Sequence, residues 1–483
     1  MKKIIIAFSC IFAFAYAEAQ NEIQALRYSQ YTLFGTARYQ GMGGAMDALG
    51  GDFSAASVNP AGLGIYRKSE ASFTPSFYWV NSTSRFNGQY TDDAKFNFNI
   101  GSLGMVSVFN TGNDDGFVSA SVGFGYNALV NFDNRITMRS ATGVNSLLDD
   151  FTFFANNSSE LDPFYEQLAF DTYLMPYDSI ADEYWHDMQD QGVYGQEQIR
   201  TVDQSGYIGE YAISGAFNFG HFLYVGATFG IHAVRFYEDI YHEEIDRSNA
   251  VEYFDMFRFR EFNRTRGVGY TGKFGIILKP IHPLRIAASV HLPTYYRLTD
   301  EQFTDMNSYW DSGTGFQDES ASSPNGIYDY KLTTPFRFQG SAALVLGKMM
   351  VVGAGYEVVD YSNSRLNAYD YKFYDENDKI GKSYKVAHNV KAGAEFRLGM
   401  LYLRGGAQYR MSPYVDERNN ADTWMLSGGF GVRTKNVSFD MSYSYSTRSE
   451  VYGLYYDPRQ DDFEYSLNDL HTNNIMMTVG FRF

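Results

Sequence analysis

The sequence predicts an all-β fold: a transmembrane antiparallel β-barrel of about fourteen strands whose lumen holds an N-terminal plug. Three observations support this prediction. Segments of about ten residues alternate between apolar and polar side chains. Short and long connectors alternate along the chain, and the composition combines 40 Tyr, 40 Phe and 45 Gly with 11 Pro. Aromatic girdles, small lumen residues and tight turns produce such a bias in bacterial outer-membrane barrels.

The N-terminal residues predict a secretory signal peptide over residues 1–19. Lys2 and Lys3 give a positive start, residues 4–14 are apolar, and Ala17-Glu18-Ala19 fits a small-residue cleavage site. The apolar run is too short to cross a bilayer as a helix. We therefore expect the chain to be exported, and we divide it into residues 1–19, a plug over 20–68 and a barrel over 69–483.

Charge and cysteine content exclude several classes of function. Cys10, the one cysteine, lies inside the predicted signal peptide, so the mature chain can have neither a disulfide framework nor a cysteine nucleophile. A net charge of −17 disfavours nucleic acid as a partner. The sequence contains no nucleophile-elbow, P-loop or zinc-binding motif. We expect no enzyme activity, no cofactor and no metal site.

Period-two alternation is clearest in the C-terminal half. Val390, Ala392 and Phe396 alternate with Asn389, Lys391 and Glu395, which predicts a strand with one lipid-facing and one lumen-facing side. The apolar stretch 340–359 is interrupted by Gly347-Lys348 and is predicted to be two strands and a turn. The predicted strands centre near residues 75, 102, 124, 213, 229, 268, 290, 338, 355, 391, 406, 428, 443 and 479.

The connectors provide an independent indication. Short ones are predicted at 111–115, 220–221, 279–283, 347–348, 399–400 and 434–436. Long ones are predicted at about 81–94, 135–205, 238–256, 299–328, 361–386, 411–421 and 447–472. Short periplasmic turns and long external loops alternate in bacterial barrels. This phase predicts a Gram-negative outer-membrane protein with both termini in the periplasm.

The segment before the first strand is rich in Gly and Ala, as a compact plug requires. Its glycines permit tight turns and close approach to the barrel wall. Asn59 can hydrogen-bond nearby backbone, and Pro60 fixes its own φ. The spacing of Gly41, Gly43 and Gly44 does not fit a dinucleotide-binding loop. The candidate gate residues are Gly41, Gly43, Gly44, Asn59, Pro60, Ala61 and Gly62.

The stretch GMGGAMDALGGDFSAASVNPAGL resembles the N-terminal hatch signature of the FadL/TodX family. These are outer-membrane transporters of long-chain fatty acids and other hydrophobic compounds. The family pattern runs from G-x-G-G-A through an acidic-Ser stretch to N-P-A-G-L. This chain departs from it at Gly51-Asp52-Phe53-Ser54, where many members have Asp-Asp-Ala-Ser, so the match says little about the ligand.

The resemblance implies a fourteen-stranded barrel that passes hydrophobic molecules by passive diffusion through a gated lumen. In the family the third strand kinks inward and opens a lateral exit beside the Asn-Pro-Ala segment. The third strand here reads GFVSASVGFGYN, and Gly123 and Gly125 would permit such a kink. The alternative is that these two glycines only relieve crowding in the lumen.

Charged and histidine side chains on the lumen face are further candidates. One of the lumen cations could hold a ligand carboxylate through charge-assisted hydrogen bonds, with Arg337 and Arg404 as the first candidates, or all could belong to a mixed-charge ladder. The cations expected on this face are Arg337, Lys391, Arg397, Arg404 and Arg410. His232 and His291 also fall on lumen faces and leave a haemin receptor as a minor alternative.

Two other functions stay open. Some FadL-like barrels of Bacteroidetes-type bacteria act as shuttles in type IX protein secretion, and the aromatic, acidic loop 135–205 would suit a secreted protein as well as a lid. A general porin is the third option, disfavoured by the predicted plug. The terminal Phe483 resembles the signal that barrel-assembly machinery recognises. The expected partners are outer-membrane lipid, a hydrophobic small molecule and this machinery.

Overall fold

The structure is a computed structural model that describes residues 21–311 and 315–483. The predicted signal peptide lies outside the described residues. Fourteen antiparallel strands form a closed barrel in which each strand pairs with the next and the last pairs with the first. The strands are β1 Glu70–Phe86, β2 Gln89–Asn110, β3 Phe117–Asn131, β4 Glu197–Phe219, β5 Leu223–Ile245, β6 Phe254–Ile281, β7 Leu284–His291, β8 Arg337–Leu346, β9 Met350–Asp360, β10 Val386–Leu398, β11 Leu401–Arg410, β12 Thr423–Arg433, β13 Val437–Asp457 and β14 Asp462–Arg482.

Shorter strands extend the wall beyond this set. Asn134–Ser140 continues β3, Tyr295–Asp311 continues β7, and Gly326–Thr333 precedes β8. The remaining strands are Tyr177–Asp178, Glu183–Tyr184, Phe316–Ser322 and Arg365–Asn367. The α-helices are α1 Glu22–Arg27, α2 Ala37–Gly41, α3 Ala55–Val58, α4 Leu147–Asn157, α5 Glu166–Asp171, α6 Asp187–Gln191 and α7 Tyr374–Ser383, and Pro60–Ile65 and Tyr361–Asn363 are 3₁₀-helices.

Alternation along the strands separates an apolar outer face from a polar lumen, as predicted. On β10, Val390 is 48% exposed whereas the next residue, Lys391, is 7% exposed and faces inward. The stretch 340–359 forms β8 and β9, joined by a turn with Gly347 at φ 60°. Each predicted strand centre falls within one of the fourteen strands. Within the described residues, no helix has the length and apolar character needed to span a bilayer.

Several connectors predicted to be long loops are strand extensions instead. Residues 81–94 form a hairpin in which β1 and β2 stay paired up to Phe86 and Gln89. Residues 447–472 likewise continue β13 and β14, with a turn at 458–461. The prediction failed there because Ser, Thr and Asp on both faces weaken the period-two signal without preventing strand pairing. Short turns at one end of the barrel nevertheless alternate along the chain with long connectors or long hairpins at the other end.

The two described chain ends lie at different depths of the barrel. Phe483 is at the short-turn end, where its N–H donates to the Ser69 carbonyl. Residue 21 and α1 lie inside the barrel towards the other end, because α1 packs against α7 and Gln24 accepts a hydrogen bond from Tyr330. The periplasmic location of the termini stays a prediction.

The connector between β3 and β4 is a folded unit, which we name the cap (residues 141–196). Ser146 and Asp149 form a capping box at the start of α4. Apolar cap residues such as Leu148 and Phe151 share one buried cluster with lumen-facing residues from strands around the barrel, including Ile240 and Tyr455. The cap therefore fills the interior of the barrel at its long-connector end.

Candidate functional site

The plug occupies the lumen and touches the wall backbone to backbone. Gly43 and Gly44 adopt φ 60° and 77°, the left-handed turn that favours glycine. A Cβ at Gly43 would lie 2.7 Å from the Ala407 nitrogen of β11, so a larger residue would push the plug off this strand. The barrel wall also has glycines where it contacts the plug. A Cβ at any of these positions would overlap plug atoms: Gly104, Gly125, Gly226, Gly275, Gly353, Gly393 and Gly406.

Asn59 and Pro60 form the junction between the plug and β5–β6. Asn59 is 1% exposed, accepts from the Ala61 N–H (3.2 Å), and donates to the Asp47 carbonyl (3.2 Å) and the Ile276 carbonyl (3.4 Å). It thereby caps the 3₁₀-helix that Pro60 begins. One side chain thus ties together two plug segments and the wall.

The other predicted gate residues pack within or beneath the plug. Ala61 is fully buried, and a Cβ on Gly62 would lie 2.8 Å from the Ala55 Cβ and 3.0 Å from the Gly50 Cα. Gly41 ends α2, where an added Cβ would meet Ser442 of β13 at 3.4 Å. All seven predicted residues therefore lie at close contacts of the plug.

Ion pairs hold the plug to the opposite wall. Arg38 of α2 pairs with Glu395 of β10 (3.0 Å), and Asp47 pairs with Lys391 (2.8 Å). Glu395 also accepts from Arg404 (2.8 Å), whose other contact is Asp440 (2.7 Å). The Arg404 side chain is fully buried and pairs with two wall carboxylates, one of which, Glu395, also binds Arg38 of the plug.

A polar cavity of about 70 Å³ lies between the plug and the wall. Arg337 lies beside it, with its guanidinium 4.4 Å from the Tyr31 ring centre and 3.4 Å from Glu357. Arg410 donates to Thr32, and among the described residues no carboxylate lies within ion-pair distance of it. The lining includes Tyr31, Thr32, Leu33, Tyr39, Val58, Leu129, Lys273, His291, Arg337, Gln339, Glu357, Asn389, Lys391 and Arg410.

The wall opens next to this cavity, between β2 and β3. These strands pair only from Asn110–Ser119 to Ser102–Asn127, and β3 leaves β2 beyond Asn127. A bulge at Ala128–Val130 and a break before Asn134 turn β3 away from β2. The plug pairs with the bulge instead: Thr32 N–H donates to the Leu129 carbonyl (2.8 Å) and Phe34 N–H to the Ala128 carbonyl (3.0 Å).

Contacts made by side chains span this gap in place of strand pairing. Asn131 donates to Asn97 (3.3 Å), and Arg135 beyond the break pairs with Asp93 (2.8 Å). Phe96 and Phe98 of β2 are 63% and 55% exposed on the outer face here. The gap thus has a polar lining and an apolar outer margin.

Gly123 and Gly125, the predicted kink residues, lie in the regularly paired part of β3, opposite Val106 and Gly104. A Cβ on Gly123 would lie 2.9 Å from plug residue Leu63, and one on Gly125 would lie 2.6 Å from the Phe53 ring. The two glycines therefore make room for the plug, and β3 changes direction several residues later.

Both lumen histidines have close protein partners. His232 lies 2.7 Å from the Tyr296 hydroxyl and 3.4 Å from Glu210, and His291 lies 2.7 Å from the Val58 carbonyl. These contacts occupy both ring nitrogens of His232 and Nε2 of His291. Among the described residues, no group of His, Cys, Asp and Glu is arranged to hold a metal ion.

Two buried carboxyl groups of the cap, Asp150 and Glu166, have raised pKa values. Burial raises the pKa of Asp150 to about 8, with a smaller rise from Glu166, while a hydrogen bond from the Tyr456 N–H opposes it. Burial likewise raises the pKa of Glu166 to about 7. Both groups belong to cap helices, so the stability of the folded cap is linked to their protonation.

Sequence reasoning missed the residues that define the gap. Leu129 and Asn131 carry no local signal for a bulge, because the partner that stabilises it is the plug segment about a hundred positions earlier. Arg410 resembles the other lumen arginines in sequence, and only its surroundings distinguish it.

Comparison with known proteins provides fold similarity at low sequence identity. No protein-family model and no curated protein matches the chain. A FadL homologue of Pseudomonas aeruginosa is 13% identical, with TM-score 0.53 over 94% of this chain and 98% of that one. The P. putida toluene transporter TodX is 12% identical, with TM-score 0.53 over 93% and 98%. The closed fourteen-stranded barrel described above therefore has the same fold as this FadL homologue and TodX.

Proposed function

We propose that the protein is an outer-membrane channel that passes hydrophobic small molecules, such as long-chain fatty acids, by passive diffusion. The observation that carries this proposal is the gap between β2 and β3 beside the lumen cavity. An apolar molecule leaving through the wall enters the bilayer without crossing water. The apolar outer band of the barrel and the fold shared with the FadL homologue and the toluene transporter TodX add support.

The cavity and the gap are neighbours. Thr32 and Leu129 line the cavity, and the hydrogen bond between their backbones closes the gap from inside. A shift of the plug that breaks this bond would join cavity and gap. The plug thus acts as a gate.

The cavity favours a ligand with an acidic head. Its volume of about 70 Å³ suits a head group and not a whole acyl chain. Arg410 offers a half-buried guanidinium with free donors, and Tyr31, Leu33 and Leu129 offer apolar surface. A fatty acid would place its carboxylate at Arg410 and its chain towards the gap.

The proposal is tested by cross-linking the gap. Asn97→Cys/Asn131→Cys places two thiols across it in a mature chain that otherwise has none. Oxidation, or a short thiol-reactive cross-linker, should abolish uptake of a labelled long-chain fatty acid by cells, and reduction should restore it. Val108→Cys/Ser121→Cys is the matched control, because these residues are already paired across β2 and β3. Undiminished uptake by the fully cross-linked gap variant would refute lateral release.

A further inference from the structure

Four cations form a row on the outside of the barrel, at the edge of the apolar band nearer the long connectors. We name them the basic row: Arg235 of β5, Arg266 of β6, Arg297 of the β7 continuation and Lys331 of the strand before β8. All four residues are exposed. On each strand, the basic residue is the first charged outward-facing side chain met on leaving the band.

The residues just below the row are apolar and exposed. On β6, Val268 and Tyr270 are 40% and 46% exposed, and Tyr295 beside them is 61% exposed. Phe229 of β5, on the same face as Arg235, is 49% exposed. Tyrosines at this depth are typical of the boundary between hydrocarbon and head groups.

The register places like charges face to face. Arg235 lies directly opposite Arg266, and Arg297 lies directly opposite Lys331. Arg297 and Arg266 are diagonal neighbours, because Arg297 is opposite Val268. Like charges directly across two strands destabilise a sheet unless something neutralises them.

Within the described residues, no carboxylate forms an ion pair with any of the four. Arg266 donates to the Tyr237 hydroxyl (3.1 Å), and the nearest acid in register, Asp329, accepts from Thr299 (2.5 Å). The next tier outward differs: Arg260 pairs with Asp239 (2.7 Å), Arg258 with Glu243 (2.5 Å), and Arg264 with Glu301. Of these two tiers on the outer face, the one at the membrane edge therefore has no carboxylate partners, whereas the next one has them.

The row is also confined to one side of the barrel. On β2 and β14, the corresponding outward residues above the band are the acids Asp92 and Asp469. The row thus places four cations without carboxylate partners side by side at one depth of a chain whose net charge is −17. Such a patch attracts anions held at the membrane surface.

We propose that the basic row binds the phosphate groups of an anionic lipid in the leaflet on the long-connector side. The apolar band below accommodates acyl chains, which a free anion lacks. The row crosses three inter-strand spacings, roughly 14 Å in all. This width exceeds one phosphate and fits a head group that carries two. The proposal requires only that the barrel lies in a membrane, and it is independent of transport.

Binding of diphosphoryl lipid A to the full-length protein in detergent, followed by native mass spectrometry, tests the proposal. Arg266→Gln/Arg297→Gln should weaken binding about tenfold or more, since each basic residue near a lipid surface contributes a several-fold factor. Arg258→Gln/Arg264→Gln removes the same charge from the outer tier and should change binding less than about twofold. Heat-modifiable migration on gels checks that each variant is folded, and Arg297→Gln alone replaces the double variant if that one misfolds.

Three results would overturn the proposal: equal losses in both double variants, no loss in either, or displacement of the lipid by inorganic phosphate at concentrations matching the lipid's own. The first would indicate unspecific attraction by net charge, and the last a site for free anions. Fatty-acid uptake does not enter these measurements, so a failure here leaves the proposed transport untouched, and the reverse also holds.

Discussion

The side-chain oxygen of Asn59 fills the space in front of Gly275, where a Cβ on this β6 residue would overlap it. Glycine at this wall position allows the plug to hydrogen-bond directly to the adjacent Ile276 carbonyl. A seat of this kind fixes the depth of the plug, because neither partner can be enlarged without displacing the other.

Gly275→Ala should therefore loosen the plug. The added methyl must move Asn59, at a cost of about 1–3 kcal/mol for overpacking at a rigid contact. We expect greater conductance in planar bilayers and greater sensitivity of cells to bulky hydrophilic antibiotics. Gly340→Ala in β8 is the control, since nothing lies within 4 Å of a Cβ there. Equal conductance of the two variants would contradict a seating role for Gly275.

Asn59→Ala/Pro60→Ala tests the same junction from the plug side. The double variant loses three hydrogen bonds made by one buried amide and the fixed φ that starts the 3₁₀-helix. Loss of such buried hydrogen bonds costs about 1–3 kcal/mol, which weakens the plug and leaves the barrel strands paired. Fatty-acid uptake should change while heat-modifiable migration stays normal. Unchanged uptake in the folded variant would remove this junction from the gate.

The barrel could be predicted from sequence because its signal is local. Period-two alternation alone assigns Val390 and Lys391 to opposite faces of β10, and in the structure Val390 is exposed whereas Lys391 is buried. The plug was also visible, because Gly43 and Gly44 mark backbone turns that few other residues adopt.

The resemblance implied an opening at the third strand, but the position of the gap and the roles of the lumen arginines could not be predicted, because contacts distant in sequence determine them. The β3 bulge depends on Thr32 and Phe34 of the plug. Arg404 and Arg410 occupy similar strand positions, yet only Arg404 meets carboxylates, from β10 and β13. One-dimensional patterns contain neither relationship.

Stability of the cap should fall as pH rises. Asp150 and Glu166 have pKa values of about 8 and about 7 in the folded cap, against about 4 when unfolded. Between pH 4 and these values the folded cap holds protons that the unfolded chain has released, so the free energy of unfolding falls by about 1.4 kcal/mol per pH unit for each group. Hydrogen-exchange protection factors over residues 141–196, which are corrected for the intrinsic pH dependence of exchange, should be lower at pH 8 than at pH 5.5. Asp150→Asn should flatten this dependence, and an unaltered pH profile in that variant would exclude Asp150 as its source.

Glu395→Gln should destabilise the plug more than any single arginine change near it. Glu395 is fully buried and pairs with Arg38, Arg397 and Arg404, so its loss leaves buried guanidiniums uncompensated. Breaking such a pair costs about 3–5 kcal/mol. Arg397→Gln is the control: its side chain is 27% exposed, and we expect less than about 1 kcal/mol. Urea unfolding in detergent compares the two, and similar midpoints would show that the ion-pair cluster does not hold the plug.

Arg410→Gln should separate acidic from neutral ligands. The guanidinium donates to Thr32 and, among the described residues, meets no carboxylate within ion-pair distance, so its remaining donors can receive a ligand anion. A charge-assisted hydrogen bond contributes about 1.5–3 kcal/mol, which corresponds to at least tenfold weaker binding of a long-chain fatty acid in the variant. The alcohol of the same chain length has no carboxylate and should bind both proteins equally. Isothermal titration in detergent measures both ligands. A parallel loss of acid and alcohol binding would show that Arg410 shapes the cavity and does not recognise charge.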